Sequence, residues 1–206
     1  MIRGSIPLGA IMNTILGFMS ELELLTLDNL FSKYNEKDGA IGIEIGSLHG
    51  RSSYQIAKTI SRGTLYCIDN WGGWKLNSKF AEEVNTKNYF PPDGSQCTLE
   101  TFLKNTADCK NIIPIKGNSP QIVQHWSKPV DFVFLDALHT NPSDWNNIEF
   151  WLPKIYPNGG IISGHDYRPL PTTAYPDINA NVSMLEFILN KKVKNPTGTS
   201  IWYFEL

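Results

Sequence analysis

Three of the four histidines and two of the acidic residues fall where an α/β protein builds its sites. His49, His139 and His165 each follow closely after a short apolar run that has the pattern of a strand. Asp136 ends one such run, and Asp166 follows His165 directly. The carboxyl ends of parallel strands meet at one edge of a sheet, where ligands bind. Imidazole and carboxylate groups at that edge can take a proton from a substrate or ligate a divalent cation.

A glycine turn after the first predicted strand indicates a ligand with polar groups. That strand carries one acid, Glu44, and is followed by Gly46 and then by Gly50. Strand, glycine turn and helix together present backbone N–H groups to a small polar ligand. Glycines that merely permit a tight turn would look the same, but a second strand, 64–68, ends in Asp69. An acid at that place can accept hydrogen bonds from the vicinal hydroxyls of a ribose. The sequence therefore predicts a nucleoside-containing ligand.

These residues must be positioned by strands and helices that alternate along the chain. The predicted strands are 41–45, 64–68, 111–115, 130–135, 161–163 and 200–204. The predicted helices are 52–60, 97–107, a short one around 122–126, 142–152 and 182–189. This alternation predicts an α/β protein with a doubly wound, mostly parallel sheet. At the C-terminus, 192–194 and 200–204 flank a turn at 195–198, which predicts a β-hairpin and an antiparallel last strand.

The N-terminal segment is predicted to be helical over 11–34, in two pieces, and to pack on the domain. Residues 6–19 are mostly apolar, but Asn13 and Thr14 interrupt them and no small-x-small cleavage site follows, so a signal peptide or a membrane span is not favoured. We expect a cytoplasmic protein with no membrane partner. We expect residues 1–38 to form a helical extension and residues 39–206 to form the core of a single domain, 1–206. The extension could cap a site or form the interface of a homodimer, and its sequence does not distinguish between these two roles.

Length and composition describe one soluble globular domain. The chain has 206 residues, of which 41% are hydrophobic and 18% are charged, and it is long enough to bury a substantial core. A net charge of −2 gives no basic footprint for nucleic acid, so no nucleic-acid partner is expected. Three scattered cysteines without a C-x-x-C pair suit a reducing compartment, and none is predicted to be a nucleophile.

Five segments occur in an order that is characteristic of one family. They are E-I-G-S with G-R-S-S at 44–53, Y-C-I-D-N-W-G-G at 66–73, G-N-S at 117–119, D-F-V-F-L-D-A-L-H at 131–139 and G-G-I-I-S-G-H-D-Y at 159–167. Together they resemble the class I S-adenosylmethionine-dependent methyltransferases, and are most similar to a branch of small bacterial-type enzymes that includes sugar and macrolide O-methyltransferases. The resemblance spans roughly 41–167. It implies a seven-stranded Rossmann-like sheet with an antiparallel C-terminal hairpin strand, and S-adenosylmethionine as the cofactor, with S-adenosylhomocysteine as its product.

Position by position, the resemblance implies a cofactor site of nine residues. The glycines and Ser47 would let the loop approach the methionine end of the cofactor, and Glu44 would hold that loop and the cofactor's amino group. Asp69 would bind the ribose. The residues after it would lie beside the adenine, and the pair at 118–119 would face it, where an amide can accept from the exocyclic amine as a carboxylate does. The full set is Glu44, Gly46, Ser47, Gly50, Asp69, Asn70, Trp71, Asn118 and Ser119.

The segment after Asp136 departs from the family's pattern. Relatives usually carry a glycine and an acid before the histidine, but this chain has Ala137 and Leu138 before His139. Asn141 stands where relatives often place a tyrosine. Both departures concern substrate binding and any role of a metal.

Methyl transfer requires an acceptor that is held in line and relieved of its proton, and two arrangements could do this. In the first, which we favour, Asp136, His165 and Asp166 bind a divalent cation such as Mg²⁺, which lowers the pKa of a bound hydroxyl. Related O-methyltransferases use a strand-end acid and two later polar residues in this way. In the second, His139 or His165 is the general base and Asp136 orients it.

Aromatic residues are frequent in the irregular segment 70–96. They could form an apolar lid or an acceptor pocket over the site, or simply pack a long loop, and the sequence favours neither. The residues concerned are Trp71, Trp74, Tyr89 and Phe90.

The expected function is transfer of a methyl group from S-adenosylmethionine to a hydroxyl of a small molecule or sugar. An NAD(P)-dependent oxidoreductase is the first alternative, but the chain lacks the middle glycine of a G-x-G-x-x-G fingerprint and ends in an antiparallel hairpin. A non-catalytic S-adenosylmethionine-binding protein is the second. Asp136 and the pair His165 and Asp166 argue against that reading, because a site without catalysis does not need them.

Overall fold

The computed structural model describes residues 15–72, 97–157, 159–168 and 175–206. Its α-helices are α1 (Glu21–Phe31), α2 (Arg51–Thr59), α3 (Leu99–Asn105), α4 (Ser143–Trp151) and α5 (Pro176–Leu189). Its strands are β1 (Ile41–Ile45), β2 (Thr64–Asp69), β3 (Ile112–Lys116), β4 (Phe132–Leu135), β5 (Ile161–Gly164) and β6 (Trp202–Glu205). Short 3₁₀ turns lie at Ser32–Tyr34, Gln121–Val123 and Leu152–Lys154. None of these helices is both long and apolar enough to span a bilayer.

The six strands form one sheet in the order β3-β2-β1-β4-β5-β6. The first five run parallel, and β6 pairs antiparallel with β5. The predicted doubly wound, mostly parallel sheet with an antiparallel last strand is thereby confirmed. The carboxyl ends of the five parallel strands share one edge, which places the loops that follow them side by side.

Hydrophobic layers cover both faces of the sheet. Strand β4 is buried at all four positions, with Phe132 and Phe134 in one layer and Val133 and Leu135 in the other. The first layer contains residues of α1, α2 and α3, and the second contains residues of α4 and α5. Because successive side chains of a strand point to opposite faces, the continuous apolar run of β4 is the pattern expected for a central strand.

The prediction of seven strands is not borne out in the described part of the chain, which contains six. The first arm of the predicted C-terminal hairpin forms a single bridge, between Lys194 and Tyr203. One residue earlier, the backbone N–H of Val193 donates to the side chain of Glu186 on α5 (3.0 Å). Apart from that bridge, the described residues of the first arm form no ladder with β6.

Two helix boundaries also differ from the prediction. Helix α1 begins at Glu21 because the hydroxyl of Ser20 accepts from the backbone N–H of Glu23 (3.3 Å) in a capping box, so the described residues before it, 15–20, are not helical as predicted. The first residues of that predicted helix, 11–14, lie outside the described ranges. Helix α5 begins at Pro176, six residues before the predicted start, since a proline in the first turn loses no helical hydrogen bond.

Candidate functional site

Backbone hydrogen bonds extend the sheet one residue past β4 and β5, and so fix where the site begins. The N–H of Asp136 donates to the carbonyl of Ile45 (2.8 Å), and the N–H of His165 donates to the carbonyl of Leu135 (3.0 Å). Both side chains therefore leave the sheet at the same edge as the glycine loop, 46–50. The site residues predicted at the ends of β1, β4 and β5 are neighbours in space.

Two glycines of that loop are required by its backbone. Gly46 has a φ of +89° and Gly50 a φ of +91°, a region that is unfavourable for residues with a Cβ. A Cβ on Gly46 would lie 2.0 Å from the carbonyl oxygen of Asp136, and one on Gly50 would lie 2.7 Å from Cγ2 of Thr106. The loop is thus packed directly against the segment that carries Asp136.

Glu44 is fully buried below the loop, and only one of its carboxylate oxygens is satisfied. Oε2 accepts from the hydroxyl of Ser47 (2.8 Å) and from that of Ser53. Oε1 is buried without a hydrogen-bond partner among the described residues. Burial raises the pKa of Glu44, and the serine hydroxyls oppose that shift. A buried acceptor of this kind is available for a ligand's amino group or a bound water.

Asp69, at the end of β2, joins the two loops beside it. Its carboxylate accepts from the backbone N–H of Leu48 (3.0 Å) and from that of Trp71 (2.7 Å). The indole N–H of Trp71 donates back to the carbonyl of Leu48 (3.0 Å), and its ring is 3% exposed and packs on Phe102 with ring centroids 4.9 Å apart. The structure therefore gives Trp71 a packing role in this loop.

The predicted adenine-facing residues lie together at the ends of β2 and β3. The amide of Asn70 donates to Oδ1 of Asn118 (3.3 Å), and both residues are exposed. The hydroxyl of Ser119 accepts from the indole N–H of Trp151 on α4 (3.4 Å). The rim of the site at this point therefore presents amide groups to solvent.

Two acids and two histidines form a compact cluster after β4 and β5. Nε2 of His139 lies 3.4 Å from Oδ1 of Asp136 and 3.1 Å from Oδ2 of Asp166. Nδ1 of His165 lies 3.4 Å and 3.3 Å from the same two oxygens. The four side chains are at most 18% exposed. Both acids are therefore shared by the two imidazoles.

Within this cluster, the predicted metal ligands lie close enough together to contact one cation. One donor atom each from Asp136, His165 and Asp166 lies within 4.8 Å of the other two. Nδ1 of His165 is buried and has no hydrogen-bond partner among the described residues. Two carboxylate oxygens and an imidazole nitrogen are a donor set used for divalent cations, so these residues fit such an ion.

The cluster's charges perturb its own pKa values. Burial lowers the pKa of His139, but Asp136 and Asp166 outweigh it and raise the pKa to about 9. Burial likewise opposes the protonated form of His165, yet its carboxylate neighbours hold its pKa well above the ordinary value. In return, the histidines lower the pKa of both acids against the effect of burial. In each case the shift favours the charged form, because acids and imidazoles of opposite charge lie side by side.

Two acidic residues that contact the cluster were not identified from the sequence. Oε1 of Glu23, on α1, lies 3.0 Å from Nε2 of His165 and also accepts from the backbone N–H of Ser200 (3.1 Å). Oδ2 of Asp144, on α4, lies 3.8 Å from Nδ1 of His139, and burial raises the pKa of Asp144 to about 6. The S-x-x-E pattern of a capping box was a visible signal for Glu23, but it explains only its local contacts.

Of the other residues that the sequence pointed to, the structure describes His49 but not three of the aromatic residues. His49 is 1% exposed in the glycine loop, burial lowers its pKa, and its carbonyl accepts from the amide of Asn105 (2.8 Å). Trp74, Tyr89 and Phe90, predicted as a lid or acceptor pocket, lie outside the described residues.

Comparison with known proteins defines the class to which this fold and site belong. A model of the methyltransferase domain family matches residues 43–167, which is more than half of the chain and includes the glycine loop, Asp69 and the cluster. The chain belongs to this family. It is an S-adenosylmethionine-dependent methyltransferase, as the sequence motifs predicted.

Solved structures with the same fold come from several methyltransferases. CalS11, the calicheamicin methyltransferase, is 15% identical, with a TM-score of 0.65 over 98% of this chain and 87% of that one. A candidate caffeoyl-CoA O-methyltransferase from Staphylococcus aureus is 14% identical (TM-score 0.62; 92% and 85% covered). Cofactor-bound Rv0187 from MTB is 16% identical (TM-score 0.62; 94% and 85% covered). At these identities the likeness establishes the fold.

Proposed function

We propose that this methyltransferase acts on a hydroxyl of a small molecule, with sugars as the first class to test, and that a divalent cation assists it. The observation that carries the proposal is the cluster of Asp136, His165 and Asp166. It lies against the glycine loop, as the close approach of Gly46 to Asp136 demonstrates. A cation site in contact with the loop that holds the methyl donor would bring the acceptor oxygen and the methyl group together.

The nine predicted cofactor residues are proposed to keep their assigned roles. S-adenosylmethionine supplies an electrophilic methyl group on a sulfonium. The unpartnered Oε1 of Glu44 supports its assignment to the amino group of that ligand, directly or through water. Asp69 retains lone pairs beyond those that accept from Leu48 and Trp71, because a carboxylate offers about four acceptor positions. Trp71 would then support the adenine side of the site by holding the loop.

The acidic cluster is proposed to prepare the acceptor. A divalent cation supplies Lewis acidity that lowers the pKa of a bound hydroxyl. Asp136, His165 and Asp166 would hold the cation, and His139 would lie beside the acceptor as the residue that receives or relays its proton. In the alternative, His139 or His165 acts as the base without a cation. A chelator distinguishes the two mechanisms, because only the first requires a cation.

The names of two structural neighbours support the choice of acceptor. CalS11 is described as a TDP-rhamnose 3'-O-methyltransferase, and the Staphylococcus aureus protein as a candidate caffeoyl-CoA O-methyltransferase. The first name gives an oxygen of a nucleotide sugar as the acceptor, and the second gives an oxygen of caffeoyl-CoA. Both names describe O-methylation of a small molecule, which supports testing sugars first and phenols next.

The acceptor class can be tested by a labelled-methyl screen. The purified chain is incubated with S-adenosylmethionine carrying a ¹⁴C-methyl group, a divalent cation and panels of nucleotide sugars, phenols and amines. Label on a sugar or phenol oxygen supports the proposal. Label confined to amines would overturn the assignment to hydroxyls, while leaving the methyltransferase class intact. Calorimetry with S-adenosylhomocysteine and with NAD⁺ in parallel verifies that the cofactor site is intact.

A further inference from the structure

Glu23 makes more contacts than its place in a helix requires. It is the third residue of α1, and Oε2 accepts from both the backbone N–H and the hydroxyl of Ser20 (2.9 and 2.8 Å), which completes the capping box. Oε1 is not used for capping. It accepts from the backbone N–H and the hydroxyl of Ser200 (3.1 and 3.0 Å) and lies 3.0 Å from Nε2 of His165.

These contacts connect an N-terminal helix to the end of β5. Glu23 is 8% exposed and His165 is 5% exposed, so water competes little for either group. Glu23 and Ser200 are 177 positions apart along the chain, which means that only the folded structure brings them together. The two hydrogen bonds from Ser200 fix the direction of Oε1, and hence the direction from which Nε2 of His165 is approached.

This geometry determines which nitrogen of His165 is available as a ligand for a cation. A carboxylate oxygen is an acceptor only, so Nε2 must carry the proton in the contact with Glu23. The other nitrogen, Nδ1, is the buried atom without a hydrogen-bond partner in the described part of the chain, and it faces Asp136 and Asp166. A hydrogen bond at one imidazole nitrogen is the usual way in which a metal-binding histidine is held in one tautomer and one orientation.

We propose that Glu23 is a positioning residue for the cation site: it holds the proton of His165 on Nε2 and directs Nδ1 toward the position between Asp136 and Asp166. The inference rests on the proposed function, because it assumes that this cluster takes up a divalent cation. It adds that α1 is part of the site, and that a residue outside the family-matched range, 43–167, contributes to cation affinity.

Ser20 provides a matched control. Ser20→Ala removes the hydroxyl that contacts Oε2 and caps α1, but it leaves the contact between Oε1 and His165. Glu23→Ala removes both functions. Glu23→Gln retains the length of the side chain and one acceptor oxygen, but it removes the charge and replaces the other oxygen with an NH₂ donor. If Glu23 served the helix alone, Ser20→Ala and Glu23→Ala would have the same consequences.

The experiment is a titration of Mn²⁺ into the full chain, followed by the electron paramagnetic resonance signal of the free ion. We expect Glu23→Ala to weaken Mn²⁺ binding by about 10- to 100-fold, as the loss of such an outer hydrogen bond does in other metal sites. Glu23→Gln should give an intermediate affinity, and Ser20→Ala an affinity equal to that of the wild type. Thermal melts by circular dichroism report the helix-capping effect of each variant separately.

A second readout follows the imidazole itself. In ¹⁵N spectra of Mg²⁺-loaded protein, the resonances of His165 should show a protonated Nε2 and an unprotonated Nδ1 in the wild type and in Ser20→Ala. Glu23→Ala should lose that single pattern, and Glu23→Gln supplies the comparison if Glu23→Ala does not fold. Equal Mn²⁺ affinity in wild type and both Glu23 variants would overturn the inference and leave the proposed function standing. A wild-type chain that binds no Mn²⁺ would overturn the cation site, and the inference with it.

Discussion

A Cβ added to Gly46 would lie 2.0 Å from the carbonyl oxygen of Asp136. The glycine loop after β1 and the acidic cluster after β4 therefore touch through their backbones, with no side chain between them. Because backbone contacts vary little with side-chain motion, the distance between the two halves of the site is set by the sheet. Because of this contact, the fold requires glycine at position 46, in addition to any requirement of ligand binding.

Gly46→Ala should therefore destabilise the protein and weaken binding of S-adenosylhomocysteine. The overlap with Asp136 should lower the free energy of unfolding by about 1–3 kcal/mol, in addition to about 1–2 kcal/mol for a Cβ at positive φ. Urea denaturation measures the loss of stability, and calorimetry measures the loss of affinity for S-adenosylhomocysteine. Gly159→Ala is the control, because Gly159 has a φ of +90° but no heavy atom within 4 Å of the added Cβ. Equal losses in the two variants would show that contact with Asp136 is not what requires glycine.

Asp69→Ala should weaken the binding of S-adenosylhomocysteine by about 1–3 kcal/mol, the scale of hydrogen bonds to a charged group. The physical reason is the loss of the proposed ribose acceptor, together with looser loops where Leu48 and Trp71 donate to the carboxylate. Calorimetric titration measures the change. Asp108→Ala removes a carboxylate that accepts from Lys58 and Tyr54, both on α2, and should leave the affinity unaltered. An unchanged affinity in Asp69→Ala would refute the ribose assignment.

The three cysteines should be unreactive in the folded protein. All are buried, and burial disfavours the thiolate, which raises the pKa of Cys109 to about 11 and that of Cys97 to about 12, while Cys67 is also shifted upward. Since the thiolate is the reactive form, a disulfide reagent at pH 8 should label the native chain far more slowly than the urea-unfolded chain, in which all three react. Rapid labelling of one native thiol would contradict the expected absence of a nucleophilic cysteine.

Most of the sheet followed from the sequence because its central strands are buried on both faces. The run that became β4 is apolar throughout, and the acids that end β2 and β4, Asp69 and Asp136, marked the functional edge. Those signals are local, and the parallel topology converts them into neighbours in space. The cluster of Asp136, His165 and Asp166 was predictable for the same reason.

Two features could not be predicted from the local pattern, because each depends on how separate elements meet in the folded chain. The strand pattern at 192–194 was correct in type, but only Lys194 pairs with β6, in a single bridge to Tyr203. Glu23 could be identified as a capping residue, yet nothing in its surroundings indicates His165, 142 positions away. In the proposal above, the tautomer of His165 depends on Glu23 of α1, and the sequence alone did not indicate what that helix does. The homodimer remains a prediction.

The most direct test of the account is the dependence of methyl transfer on a divalent cation. With the acceptor found in the labelled-methyl screen, the rate is measured as purified, after EDTA, and after Mg²⁺ or Mn²⁺ is restored, for the wild type and for Asp136→Asn. S-adenosylhomocysteine binding, measured with and without EDTA, shows that the chelator leaves the cofactor site intact. The account predicts that EDTA abolishes transfer in the wild type, that a cation restores it, and that Asp136→Asn is inactive under all conditions. Transfer that continues unchanged after complete chelation would contradict it and favour direct base catalysis by a histidine.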